Sequence, residues 1–150
     1  MKTMFILPLF SLIAMAFFQE KLSAQEIAII INAESPVPEK FTLDDVKNIF
    51  TGKTKVLGKT VIAPCELSEE KALTSFLVNV LNMQKSAYKS LWVKKVFGEG
   101  AKPPKAFEKS EEMLKFVSET KGAIGFLLEK DVKGKEEKIK IILTVGKEKS

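Results

Sequence analysis

Apolar positions in this chain fall into short blocks that change period along the sequence. Glu26-Ile-Ala-Ile-Ile-Ile-Asn32 is an unbroken apolar run bounded by polar residues, the pattern of a buried strand. After the Ser35-Pro-Val-Pro38 loop, Leu43, Val46, Ile49 and Phe50 recur at helical spacing. Thr42 is placed to cap that helix, with Asp45 at its third position and Phe41 and Val46 as a hydrophobic staple. Val61-Ile-Ala63 reads as a second strand. Ser68 is expected to cap a second helix, which places Glu69 and Glu70 in the first turn and Ala72, Leu73, Phe76, Leu77, Val80 and Leu81 on one face. A third helix is predicted over 84–97, burying Ala87, Tyr88, Leu91 and Trp92. The stretch Gly98 to Pro104 breaks the pattern. Ser110 is expected to cap a fourth helix carrying Met113, Leu114 and Val117, with Gly122 ending it. Gly122-Ala-Ile-Gly-Phe-Leu-Leu128 and Lys140-Ile-Ile-Leu-Thr-Val145 complete the strands. Strands alternating with helices argue an α/β fold.

The first 24 residues follow a different rule. Lys2 precedes the uncharged apolar run Met4 to Phe18, and a polar stretch leads to the small residues Ser23 and Ala24. This is the layout of an export signal cut after Ala24. The alternative is a membrane anchor, but a run of 15 residues is shorter than the roughly 20 that span a bilayer. The expectation is therefore a signal peptide at 1–24 and one domain at 25–150, exported to a bacterial periplasm or secreted. A domain of this length can bury a core without disulfide staples.

Composition narrows the chemistry. All 24 cationic side chains are lysines, for the chain has neither arginine nor histidine, and it has one cysteine. Imidazole bases, Ser-His-Asp and Cys-His triads and His-containing zinc sites are excluded. So is bidentate guanidinium capture of an anion. Cys65 has no partner for an intramolecular disulfide, and Glu66 beside it disfavours the thiolate, so it reads as a small buried hydrophobe. Without the first 24 residues, 22 lysines face 18 acids, a net charge of +4. The charges are interleaved, as in Lys133-Gly-Lys-Glu-Glu-Lys138, and do not form the segregated basic face that nucleic acid requires. No cofactor motif is present, and no nucleophile has a base beside it, which sets enzymatic function aside.

Three segments in order carry a resemblance: Phe41-Thr-Leu-Asp-Asp-Val-Lys-Asn-Ile-Phe-Thr-Gly-Lys53, then Tyr88-Lys-Ser-Leu-Trp-Val-Lys-Lys-Val-Phe-Gly98 followed by Pro103-Pro104, and Lys121-Gly-Ala-Ile-Gly-Phe126. With the opening strand ending in Asn32, the chain resembles the short type 2 periplasmic-binding-protein-like domains related to the phosphate-binding subunit of ABC transporters. The resemblance covers roughly residues 26 to 145. It implies a single lobe with a mixed sheet flanked by about four helices, and a non-enzymatic role in binding a small anion such as phosphate. An ABC permease or another envelope protein is the implied partner. In the family an Arg, three residues and then Ser-Gly-Thr open the ligand-binding helix. Ser68 matches the serine, Pro64 stands in the place of the arginine, and Glu69 and Glu70 replace the Gly-Thr pair. Ser68 and Lys71 are thus the candidate ligand residues, against the plainer reading of Ser68 as a cap. Tyr88 and Trp92, four apart on a helix, read as core or as a ligand platform. The expected function is an anion-binding lobe of modest affinity; the alternative is a lobe that has lost its ligand and contacts another protein.

Overall fold

The computed structural model describes residues 25–134 and 137–146, so the expected export segment at 1–24 lies outside the described residues. The chain runs β1 (Ile27–Asn32), α1 (Leu43–Phe50), β2 (Val56–Leu57), β3 (Thr60–Val61), β4 (Ala63–Leu67), α2 (Glu70–Phe76), α3 (Lys85–Glu99), β5 (Lys105–Phe107), α4 (Ser110–Glu119), β6 (Ala123–Leu128), α5 (Glu129–Val132) and β7 (Ile139–Val145). Five strands form one mixed sheet in the order β5-β4-β6-β1-β7, and β2 pairs with β3 in a separate small hairpin. β4 runs parallel to β5 and β6, while β1 runs antiparallel to both β6 and β7. This is the α/β, mixed-sheet lobe expected, with the short α5 added to the four anticipated helices.

The apolar run of β1 takes the second-strand-from-the-edge position, where Ile27 to Ile31 are fully buried. β6 is buried along its whole length beside it. Asn32 ends β1 and is itself buried; its side-chain amide donates to the Val117 and Ser118 carbonyls at 2.9 and 3.1 Å. These are carbonyls of the last turn of α4, which a helix leaves unsatisfied, so one residue fixes strand to helix. The α1 cap forms as expected: the Asp45 N–H donates to Thr42 Oγ1, and the Thr42 N–H donates to Asp45 Oδ2 at 2.7 Å. Between α2 and α3 the chain makes one wide π turn, Leu77–Leu81, closed by Asn82 in the left-handed region (φ 52°). All six residues expected on the α2 face are buried, although the last three belong to that π turn.

The core centres on three phenylalanines from three elements. Phe76 of α2 stacks on Phe126 of β6 at 3.8 Å between centroids, and Phe50 of α1 meets Phe76 edge-on at 4.8 Å. Gly122 sits in the turn before β6 with φ +88°, and a Cβ there would run into the Val61 carbonyl oxygen. Its N–H donates to the buried Ser35 Oγ at 2.7 Å. The turn therefore needs glycine for both backbone angle and space.

Candidate functional site

The sequence placed the ligand site where β4 passes into α2, and this junction departs from the expectation. Ser68 does not cap α2. Its N–H donates to the Phe107 carbonyl at 2.8 Å, which continues the β4–β5 pairing one residue beyond the strand and delays the helix. Glu69 is the cap: its carboxylate accepts from the Lys71 N–H at 3.2 Å and from the Ala72 N–H at 3.0 Å. Those are the amides that would hold an anion at a helix start, and a carboxylate of the chain already occupies them. Ser68, Glu69, Glu70 and Lys71 are all exposed. Lys85, from the start of α3, reaches Glu70 at 2.8 Å and holds its carboxyl below the usual range. The expected neighbour Lys71 is therefore joined by a cation that sequence spacing did not reveal.

A second feature lies beside this junction. α3 buries Tyr88 and Trp92, with Leu91 half-buried; Ala87, expected in the core, is exposed. The Trp92 indole N–H donates to the Phe50 carbonyl at 3.2 Å, which anchors α3 to the end of α1. Gly52 lets the indole lie against the backbone, since a Cβ there would come within 2.9 Å of Trp92 Cη2. The Tyr88 hydroxyl donates to Glu66 Oε2 at 2.9 Å. Burial pushes the Glu66 carboxyl up, partly offset by that hydrogen bond. Burial and the adjacent Glu66 push the Tyr88 hydroxyl up as well.

Beyond these anchored residues α3 is open to solvent. Val93 is 55% exposed and Phe97 86% exposed. With Leu73, Tyr88, Trp92 and Val96 they line a groove of about 340 Å³, rimmed by Lys85 and Lys89. Tyr88 and Trp92 are thus core anchors whose outer edges also form a surface. On the other side of Trp92 lies a cavity of about 550 Å³, bounded by the end of α1, the β2–β3 hairpin and the loop before β5.

Cys65 sits on β4, buried, with its thiol donating to the Ile124 carbonyl at 3.2 Å. Burial, above all, pushes the thiol up to about 12; Lys105 lowers it and Glu66 adds a smaller rise. The sequence named Glu66 as the cause, whereas desolvation is the larger one. Among the described residues no cluster of three or more His, Cys, Asp or Glu could hold a metal ion, and no helix is long and apolar enough to cross a membrane.

No family model matches the sequence, and no curated protein matches it. Solved structures do match the fold. An ABC-type phosphate transport receptor from Vibrio cholerae superposes with a TM-score of 0.55 at 16% identity, over 79% of this chain and 45% of that one. A putative phosphate ABC transporter substrate-binding protein from Clostridium perfringens, solved with bound phosphate, gives 0.53 at 17% identity, over 84% and 57%. The fold is the periplasmic-binding-protein-like lobe that these two structures contain, and the chain spans about half the length of these two proteins.

Proposed function

We propose that this chain is an exported binding-protein-like lobe that works by contacting another protein of the cell envelope, and that it is not an enzyme. The open apolar groove on α3 carries this reading. A monomeric surface rarely leaves side chains as large as Phe97 and Val93 together beside a cavity unless something covers them. The rim favours the occupant's charge: Lys89 borders the groove without an ion pair among the described residues, Lys85 is paired with Glu70, and the Glu66 carboxyl is held by Tyr88, so the complementary segment carries apolar side chains with a carboxylate beside them. Site-specific photocrosslinking in cells tests it. A crosslinker at Phe97 or Val93 should trap one discrete product that a crosslinker at Lys115, on α4, does not. Equal trapping at all three positions, or none, overturns the proposal.

The second reading is a solute-binding lobe that takes phosphate or another small anion at Ser68 and Lys71 and delivers it to an ABC permease. The fold shared with phosphate receptors supports it; the Glu69 carboxylate on the same amides argues against it. A thermal-shift titration with phosphate and sulfate separates the two. At 100 times its dissociation constant a ligand stabilises by about 2.7 kcal/mol. A saturable shift abolished by Ser68→Ala would restore the anion reading, and no shift is the outcome expected.

A further inference from the structure

The larger cavity has a composition that the groove lacks. Its wall is apolar, built from Ile49, the Trp92 indole and Phe116, and its charged lining is entirely cationic: Lys55, Lys102 and Lys105. Among the described residues none of the three lysines takes part in an ion pair. The Lys105 ammonium lies over the Phe116 ring at 4.6 Å and the Phe107 ring at 5.3 Å, where aromatic faces substitute for a carboxylate. The Trp92 wall is fixed in place by its hydrogen bond to the Phe50 carbonyl and by its close fit on Gly52. The volume is within the range of small-molecule pockets, about 300–1,000 Å³. The cavity also lies away from the Ser68 junction. It meets β4 at Ala63 and Pro64 and β5 at Lys105, the amino-terminal ends of two parallel strands, whereas Ser68 follows the carboxyl end of β4.

We infer that this cavity is a binding site for a small amphipathic organic anion, with an apolar body against Trp92 and Ile49 and an acidic group facing Lys55, Lys102 and Lys105. An inorganic anion fits it poorly. Phosphate would gain the lysines but leave the apolar wall without contact, and an uncharged apolar molecule would leave the three ammonium groups without a counter-charge.

Trp92 is the single tryptophan of the chain and borders both the cavity and the α3 groove, so its fluorescence reports on either, and a groove variant is needed to tell them apart. The probe is 4-phenylbutyrate, compared with the uncharged 4-phenylbutanol and with inorganic phosphate, titrated into the purified protein with excitation at the indole edge. The expected result is a saturable change with phenylbutyrate, at least about tenfold weaker with the alcohol, and none with phosphate. Lys55→Gln and Lys102→Gln, both at exposed positions, should each weaken phenylbutyrate about fivefold, the scale of one ion contact in water. Phe97→Ser, which alters only the groove, should leave the titration unchanged. Equal responses to acid and alcohol, or insensitivity to both lysine substitutions, would overturn the inference. So would a response lost in Phe97→Ser, because it would place the probe in the α3 groove. None of these outcomes bears on the protein contact at the groove, which the crosslinking experiment reads separately.

Discussion

Glu66 carries a carboxylate into the wall between β4 and α3, where desolvation raises its pKa more than the Tyr88 hydrogen bond lowers it. The folded protein therefore holds this proton at a pH where the unfolded chain has released it. The resulting stabilisation is complete below the unfolded pKa of an ordinary glutamate and is lost as pH rises through the higher folded value. Glu66→Gln keeps an acceptor for Tyr88 and has no charge to desolvate. Its unfolding free energy relative to the wild type should be higher at about pH 7 than at about pH 3.5. Urea denaturation at both values checks this, and a difference independent of pH would show that the carboxylate is not desolvated. Gly122 is a second residue whose identity is forced. Gly122→Ala combines a positive φ with a collision against the Val61 backbone, and it should cost about 3 kcal/mol or more by the same measurement.

Helix α2 shows how a single cap decides what a helix start can bind. With Ser68 drawn into the β4–β5 ladder, Glu69 falls at the cap and satisfies two amides of the first turn. Glu69→Ala should destabilise the fold by about 1 kcal/mol, the usual effect of losing a side-chain cap, read as a drop in the thermal midpoint. The sequence Ser68-Glu-Glu70 offers three residues in a row that can begin a helix, and nothing local chooses among them; the choice is made by Phe107, nearly forty positions away. The same limit governs the rest of the fold. Long apolar blocks such as Ile27 to Ile31 and Ala123 to Leu128 were legible because burial on both faces demands an unbroken run. The strand expected at Val61 to Ala63 proved to straddle the end of β3 and the start of β4, while β2 and the three-residue β5 were not legible, since they are mostly exposed and carry no periodic signal. On α3 the spacing of Tyr88 and Trp92 gave the buried face correctly, but it placed Ala87 in the core and gave no sign that Val93 and Phe97 face solvent. Which side of a helix stays uncovered is a property of the neighbours it lacks.

At the scale of the molecule, stability rests on one set of aromatic side chains and the proposed contact on another. Phe50, Phe76 and Phe126 join α1, α2 and β6 in one buried cluster, so removing the central ring should disturb all three. Phe76→Ala should cost about 3–5 kcal/mol, a large share of the roughly 5–15 kcal/mol that holds a domain folded, read as a fall in the urea midpoint. Phe97 is the opposite case. It is 86% exposed and belongs to a lobe that spans only about half the length of the two solved proteins it superposes on. A ring kept in water adds little to folding, so Phe97→Asp should change the unfolding free energy by no more than about 0.5 kcal/mol. Placed in an interface of apolar and acidic side chains, the same aspartate is both desolvated and repelled, a combination that commonly costs several kcal/mol of binding. The expected result is a variant with wild-type denaturation that has lost the product trapped by a crosslinker at Val93. If Phe97→Asp unfolds the lobe instead, Phe97 belongs to the core and the groove is not a contact surface. If folding and crosslinking are both unchanged, the contact at α3 does not rest on the Phe97 ring, and the apolar groove does not carry the recognition.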